Sequence, residues 1–359
     1  MLDKTEEAQQ PQITLLQNAR IFDGVHAKLQ EGQDLLVRGN QIERISAGPA
    51  EPPPGGAVLD VQGHVLMPGI INSHFHMLGA LPAGDLIAGP AIDYRGFRYA
   101  QGLERTLMQG VTTVRDIGGN DWGVVRAAAE GLIDAPRVFA SGALICQTAG
   151  HFDLRPKEMT LAKSSFAGDI IVVHDGIAFL VDGPDAVRRA ARECLRQGAT
   201  QIKIASGGGV ASMVDPIHSV QFTSEEVRVA VEVARSWDTY VATHIYTSEA
   251  AIRDINNGVL SLEHANLVNE EAVALGVEKG VWWSPQTVVY LHPPADWNET
   301  QRAKLRVVVE GLKRTLALFK KRGAKVLFGT DWFGNMVVQH LGFTYGSQLF
   351  SSLEMLGQA

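Results

Sequence analysis

From Gly69 onward the chain alternates short apolar runs with amphipathic helical stretches, and this alternation constrains the fold more than any other feature. Strand cores are predicted at 69–73, 111–117, 137–145, 201–206, 240–246, 260–264, 281–285 and 325–330. Helices are predicted between most of them. Asp185 to Arg196 carries apolar residues at helical spacing and stops at Gly198. Thr223-Ser224-Glu225-Glu226 is a capping box opening a helix toward Trp237, and Glu299 to Lys321 reads as a long amphipathic helix. Alternating β and α elements imply parallel strands, and eight of them imply a closed (β/α)8 TIM-like barrel in an α/β fold. The stretch 146–182 is too long for a simple connection and is expected to be an insertion at the site.

Before the alternation begins, residues 12–66 read as short strands with turns at Asp23-Gly24 and Gly39-Asn40. Glu51-Pro52-Pro53-Pro54-Gly55-Gly56 is a clear break. Two domains are therefore expected: a small N-terminal β domain over 1–66 and the barrel over 67–359. A chain of 359 residues has room for both. The net charge of -7 argues against a surface that binds nucleic acid. Met1 to Pro11 lacks the basic and apolar regions of a signal peptide, and no apolar run is long enough to span a bilayer. A cytoplasmic location is the default. Two cysteines do not make a disulfide scaffold, and both Cys146 and Cys194 are expected to pack as buried thiols.

Several apolar runs end on a side chain suited to chemistry. His74 and His76 lie two apart after Pro68-Gly69, so on a strand both point the same way, as suits a divalent metal. Lys203 sits in the apolar run Gln201-Ile202-Lys203-Ile204. A strand covered on both faces would strip the amine of water and lower its pKa, and a neutral amine can take up carbon dioxide as a carbamate. His244 and His264 each close a strand, and Asp331 follows Gly329-Thr330 at the end of the last. Each residue alone has an ordinary explanation: a solvated lysine, a hydrogen-bonded core histidine, an N-cap aspartate. Together, at successive strand ends, they read as one site.

These residues resemble the amidohydrolase superfamily, and the match runs from the β domain through strand eight. That family carries His-x-His on strand one, a carbamylated lysine on strand four, histidines on strands five and six, and aspartate on strand eight. Here those positions hold His74 and His76, Lys203, His244, His264 and Asp331. Thr112-Thr113-Val114-Arg115-Asp116-Ile117-Gly118-Gly119 and Ala149-Gly150-His151 look like the branch of metal-dependent dipeptidases, which is similar to prolidase-like and Xaa-Arg dipeptidases and to ochratoxin-hydrolysing amidohydrolases. Asn72 stands where the family usually has aspartate, and Ala265 where it often has glycine. Members of this branch run on to C-terminal strands that complete a small β-sandwich, so the resemblance implies that this chain is a truncated form.

The resemblance implies a binuclear metal-dependent hydrolase that cleaves an amide, peptide or N-acyl amino acid bond through a metal-bridging hydroxide. His74, His76 and Asp331 would hold one ion and His244 and His264 the other, with carbamylated Lys203 between them. Zinc is the expected metal of so imidazole-rich a set. Asp331 would carry the proton, while Asp116 supports the barrel. His151 is a candidate for substrate binding or for steadying the oxyanion, with a solvated loop histidine as the alternative, and Tyr246 is a candidate donor to substrate. Ser206-Gly207-Gly208-Gly209 reads as a flexible pocket rim. Trp282, Trp283, Tyr290, Trp332 and Phe333 read mostly as packing, with one or two of them in a pocket wall. Hydrolysis of a cyclic amide, lactone or ester is the second reading, and a catalytically silent barrel scaffold the third. The expected partners are a small-molecule amide substrate and further copies of the chain in a homo-oligomer, with no nucleic acid and no membrane.

Overall fold

Period-two patterning gives way to repeated strand–helix units near Gly69, and the chain parts there into two units, one ending at Gly69 and the other starting at Ile70. The computed structural model describes residues 12–331 apart from 27, 83, 84, 86–88, 157, 213, 214, 288 and 292–296. The acidic N-terminus, the helix expected after strand eight, and Trp332 and Phe333 lie outside the described residues.

The first unit is a mixed five-stranded sheet of β1 (Ile13–Ile21), β2 (Gln30–Arg38), β3 (Gln41–Ala47), β4 (Ala57–Asp60) and β5 (Val65–Leu66). Its order is β3-β2-β1-β4, and β5 also pairs with β1. Ala19, Ile21, Leu35 and Val61 form its apolar cluster. The buried Asp34 carboxylate accepts from the Asn18 and Ala50 amides, which satisfies the charge where the chain bends back.

The second unit is α/β. A parallel three-stranded sheet holds β6 (Ile70–Phe75), β7 (Val111–Asp116) and β8 (Arg137–Ala140). A nine-stranded mixed sheet holds β9 (Leu144–Cys146), β10 (Ser165–Ala167), β11 (Ile170–Val173), β12 (Ala178–Leu180), β13 (Ile202–Ala205), β14 (Val241–Thr247), β15 (Ser261–Leu267), β16 (Trp282–Ser284) and β17 (Lys325–Val326). Its order is β10-β11-β12-β9-β13-β14-β15-β16-β17. The pairings from β9 to β17 are parallel, whereas the expected insertion supplies the antiparallel hairpins β10–β11 and β11–β12. The predicted run 137–145 splits into β8 and β9 because Gly142 takes a φ of 79° between them. The predicted 325–330 shortens to β17 because the chain changes partner: Leu327 N donates to Trp283 O at 2.7 Å, then Phe328 O accepts from Ser73 N and Asp331 N donates to His74 O, both at 2.8 Å. Those bonds bring Asp331 beside the end of β6.

The helices are α1 (Ile92–Leu107), α2 (Trp122–Ala129), α3 (Pro184–Gln197), α4 (Ser224–Arg235), α5 (Ser248–Asn256), α6 (Glu270–Glu278) and α7 (Glu299–Arg322). Their ends follow from local chemistry. Helix α3 stops at Gly198, whose φ of 110° no β-carbon tolerates readily. Helix α4 opens on the Thr223–Glu226 capping box. Helix α7 opens on an Asn298–Gln301 box and ends in Lys320, Lys321 and Arg322 before left-handed Gly323, which suits the helix dipole. Cys194 and Cys146 are free, buried thiols in the two apolar clusters of this unit. No helix among the described residues is long and apolar enough to cross a membrane.

Candidate metal centre

Strand alternation puts Phe75 into the apolar cluster and turns His74 and His76 the other way. His74 Nε2 and His76 Nε2 lie 3.4 and 3.5 Å from Asp331 Oδ1. Ligand atoms of these three residues all lie within 4.8 Å of one another. The opposite nitrogens have partners inside the protein: His74 Nδ1 bonds Glu263 Oε2 at 2.7 Å, and His76 Nδ1 bonds Gly118 O at 2.9 Å. Each Nδ1 is therefore placed to donate, and each Nε2 faces Asp331. Burial pushes His76 down to about 3, so the ring is neutral at physiological pH. Burial raises the Asp331 carboxyl, but His74 and His76 outweigh it and hold the group below its ordinary value. Asp331 sits at a φ of 50°, a left-handed turn that aspartate tolerates better than most side chains.

His264 stands with its ring centroid 5.0 Å from His74 and 4.3 Å from His244, edge-on to both. His264 Nδ1 bonds the Tyr290 hydroxyl at 2.5 Å, and its main-chain amide donates to Gln286 Oε1 at 2.8 Å. His264 and Ala265 both take left-handed backbone, at φ 67° and 52°. Such residues cost about 1–3 kcal/mol each and cluster where a site dictates the backbone. The alanine at 265 occupies a conformation made for glycine. His244 works from the opposite ring atom: its Nε2 meets Gly208 O at 3.2 Å, leaving Nδ1 as the free donor atom. Burial lowers both rings well below ordinary histidine.

Beneath the imidazoles lies a buried charged network. Glu263 Oε1 accepts from Arg115 at 2.8 Å and from Ser261 at 2.7 Å, while Oε2 holds His74. Arg115 also donates to Ser73 O at 2.6 Å, which braces the end of β6. Lys203 is 1% exposed on β13, and burial first, then Arg115, brings its amine down to about 8 against the opposing pull of Glu263 and Asp331. Asn72 contributes no charge. Its amide donates to Thr330 Oγ1 at 2.8 Å and accepts from the His74 and Thr330 amides, so it splices β6 to the last turn before Asp331. Asp116 accepts from the Met77 and Gly118 amides and so pins the chain just beyond His76.

His151 lies inside rather than on a solvated loop. Its ring stacks on His244 at 4.0 Å with 12° between planes, and Asp215 Oδ2 lies 3.9 Å from its Nδ1. Gly207, Gly208 and Gly209 are buried and form no flexible rim. A β-carbon at 208 would lie 1.9 Å from Pro216 O, and one at 209 would lie 1.7 Å from His151 Nδ1. These glycines are small because the loop is tight. Lys304 on α7 fastens it by donating to the carbonyls of Gly209, Ser212 and Asp215. Gly209→Ala should therefore displace His151 and lower kcat/KM by about a hundredfold, the scale of a misplacement of about 1 Å. His151→Ala measured in parallel should show a loss of the same size, and an unaffected Gly209→Ala enzyme would remove His151 from the site.

This donor set suits a divalent ion: two imidazole nitrogens, each ring held from behind through Nδ1, and a carboxylate facing them. The family model described as Amidohydrolase family matches residues 65–355. The chain belongs to the amidohydrolase family. Ochratoxinase from Aspergillus niger is 31% identical over 283 residues, 74% of this chain and 58% of the relative, so the chain spans little more than half of that relative's length. A solved prolidase complexed with N-methylphosphonate-L-proline superposes with a TM-score of 0.82 at 32% identity, covering 96% of this chain and 88% of the other. A Xaa-Pro dipeptidase with methionine bound in its active site gives 0.81 at 26% identity, covering 96% and 84%.

Within this amidohydrolase the four strand-end imidazoles and Asp331 meet in one place, linked ring to ring and through Asp331, with Lys203 near enough to act on them electrostatically. Tyr246 stacks on His264 at 5.2 Å. Of the five late aromatics, Trp283 packs against Phe319, Trp282 is exposed under Lys325, and Tyr290 enters the site. The sequence suggests no role for Glu263, Gln286, Asp215 or Lys304; it shows Arg115 only within a motif and Tyr290 as packing or a pocket wall, not as a partner of His264. A signal existed for two of them: Arg115 and Glu263 are opposite charges next to apolar residues on strands expected to be covered on both faces, where a charge is tolerated when it is paired.

Proposed function

We propose that this chain is a binuclear metal-dependent amidohydrolase that hydrolyses a dipeptide or N-acyl amino acid, on a closed (β/α)8 barrel with the N-terminal sheet contributing to a small β-sandwich. The observation that carries this reading is the convergence of His74 Nε2, His76 Nε2 and Asp331 Oδ1 on one point, each imidazole held from behind through Nδ1. His74, His76 and Asp331 would hold one divalent ion, zinc by preference. His244 through Nδ1 and His264 through Nε2 would hold a second, with Lys203 as a carbamate between them. Bound there, two divalent ions supply Lewis-acid polarisation of the scissile carbonyl and a water acidic enough to react at neutral pH.

The protein's own side chains do the rest. Asp331 Oδ1 faces the His74 and His76 nitrogens while Oδ2 lies 4.0 Å from His264 Nδ1, and Oδ2 is the oxygen that would take the proton from water and hand it to the leaving amine. Asp331 stays ionised in the resting site because its carboxyl lies below the ordinary value. His151 lies over His244, where it can donate to the substrate oxygen that gains charge. Tyr246, two residues beyond His244, lies against the His244 and His264 rings, where it can donate to substrate. The substrate class is proposed because the prolidase, the Xaa-Pro dipeptidase and the ochratoxinase are similar to this chain.

The test is a screen of dipeptides and N-acyl amino acids with protein reconstituted with zinc, alongside metal analysis of freshly purified, chelator-free protein. The reading expects about two metal equivalents per chain and hydrolysis of at least one amide. Protein that binds no metal under either condition would favour a scaffold, and hydrolysis confined to lactones or cyclic amides would favour the second reading.

A further inference from the structure

Tyr290 sits in a short turn after β16 and touches two groups of the site at once. Its hydroxyl lies 2.5 Å from His264 Nδ1 and 2.9 Å from the Tyr246 hydroxyl. All three side chains are buried. The order of donors in this chain follows from valence. If His264 turns Nε2 to a metal, Nδ1 carries the hydrogen and must donate, so the Tyr290 oxygen is its acceptor. Tyr290 then has one hydrogen of its own to place. Two side chains among the described residues reach the Tyr290 hydroxyl, Tyr246 at 2.9 Å and Asn266; with the Asn266 amide nitrogen donating to Tyr290, the Tyr246 oxygen is the acceptor left. A buried hydroxyl left without an acceptor costs about 1–3 kcal/mol, so the Tyr290 hydrogen goes there. Tyr246 has become an acceptor toward Tyr290, and its own hydrogen is left to point elsewhere. The Tyr246 ring lies against His264 and is edge-on to His244 at 5.3 Å, so its hydroxyl is at the imidazole cluster.

We propose that Tyr290 is a positioning residue: it fixes the His264 tautomer on one side and, by spending its own hydrogen on Tyr246, presents the Tyr246 O–H as a donor to an acceptor oxygen of the substrate on the other. This rests on the hydrolase reading above for its substrate half and on metal binding alone for its His264 half. A tyrosine that merely filled space would do neither, since phenylalanine keeps the ring.

The experiment compares wild type, Tyr290→Phe, Tyr246→Phe and the double variant. Zinc affinity is measured by competition with a chromogenic chelator, and kcat and KM are measured on an amide found in the screen. Tyr290→Phe should hold zinc at least about tenfold more weakly, the usual cost of removing the group behind a ligating imidazole. Tyr246→Phe should keep wild-type zinc affinity, because Tyr290 still accepts from His264, and should lower kcat/KM about tenfold, the scale of one lost hydrogen bond. In the Tyr290→Phe background the Tyr246→Phe change should cost little more, because its donor is already misdirected. Unchanged zinc affinity in Tyr290→Phe, or kcat/KM losses that simply multiply, would overturn the proposal. If Tyr290→Phe does not fold, Tyr246→Phe probes the relay from its other end, and weakened zinc binding in that variant would overturn the donor order. If wild type hydrolyses no amide, the hydrolase reading fails, and the zinc comparison still decides whether Tyr290 sets His264.

Discussion

Lys203→Ala is expected to lower kcat/KM by at least about a thousandfold, which corresponds to losing about 4 kcal/mol of Lewis-acid stabilisation. The effect is large because nothing else among the described residues stands where that side chain does. Lys203 lies on β13 between β9 and β14, both hydrogen-bonded to it, and the strand is buried throughout. Burial holds the amine near 8, so an appreciable fraction is neutral at physiological pH. A neutral amine adds carbon dioxide and releases a proton to give a carbamate, an anion that sits more easily beside two cations than an ammonium would. Three results should travel together. Activity should vanish in the alanine variant, acetate or propionate should restore part of it by occupying the space left, and reconstitution of wild type should depend on bicarbonate. Full activity in Lys203→Ala would refute the bridging role.

The parts of this molecule that could be read from sequence are those written into local periodicity. Each strand-end residue follows an apolar run, so Lys203, His244 and His264 could be placed on strands without knowing what faced them. Helix ends were equally legible, since Gly198 and the Thr223–Glu226 box act within one turn of chain. What stayed hidden depends on long-range meetings. Tyr290 lies in a single short turn with no period to reveal its direction. Lys304 reaches the loop after β13 across 89 to 95 residues of chain, and no pattern near Lys304 announces it. Gly207, Gly208 and Gly209 were misread for the same reason: three glycines signal flexibility or close packing alike, and only His151 and Pro216 decide which. Asn72 is the most instructive case. At that position the sequence shows a missing carboxylate, yet the anion that orients His74 comes from Glu263, 189 residues away.

Glu263→Gln should therefore be the most destabilising single change that preserves shape. Glu263 is fully buried, with Arg115, Ser261 and His74 as its partners. Removing one member of a buried ion pair costs about 3–5 kcal/mol, because the other charge is left without an answer. Glutamine keeps some of the hydrogen bonds, so about 3 kcal/mol is expected, with Tm lower by about 4 °C in calorimetry of metal-free protein. The pH dependence separates lost charge from lost shape. Burial alone would raise the Glu263 carboxyl, but Arg115 and then His74 outweigh it and hold the group below its ordinary value. A depressed carboxyl contributes stability that is fully present above the unfolded-state value of about 4.3 and lost as pH falls toward the folded-state value. The gap in Tm between wild type and Glu263→Gln should thus stay constant from about pH 6 to 8 and narrow below about pH 4. A gap that persists unchanged at low pH would mean that packing, not charge, is what Glu263 supplies. The same substitution loosens His74 from behind, so zinc affinity should fall by about tenfold or more along with stability. That joint loss ties the site to the fold: the carboxylate that neutralises a buried arginine also decides which nitrogen of His74 faces Asp331.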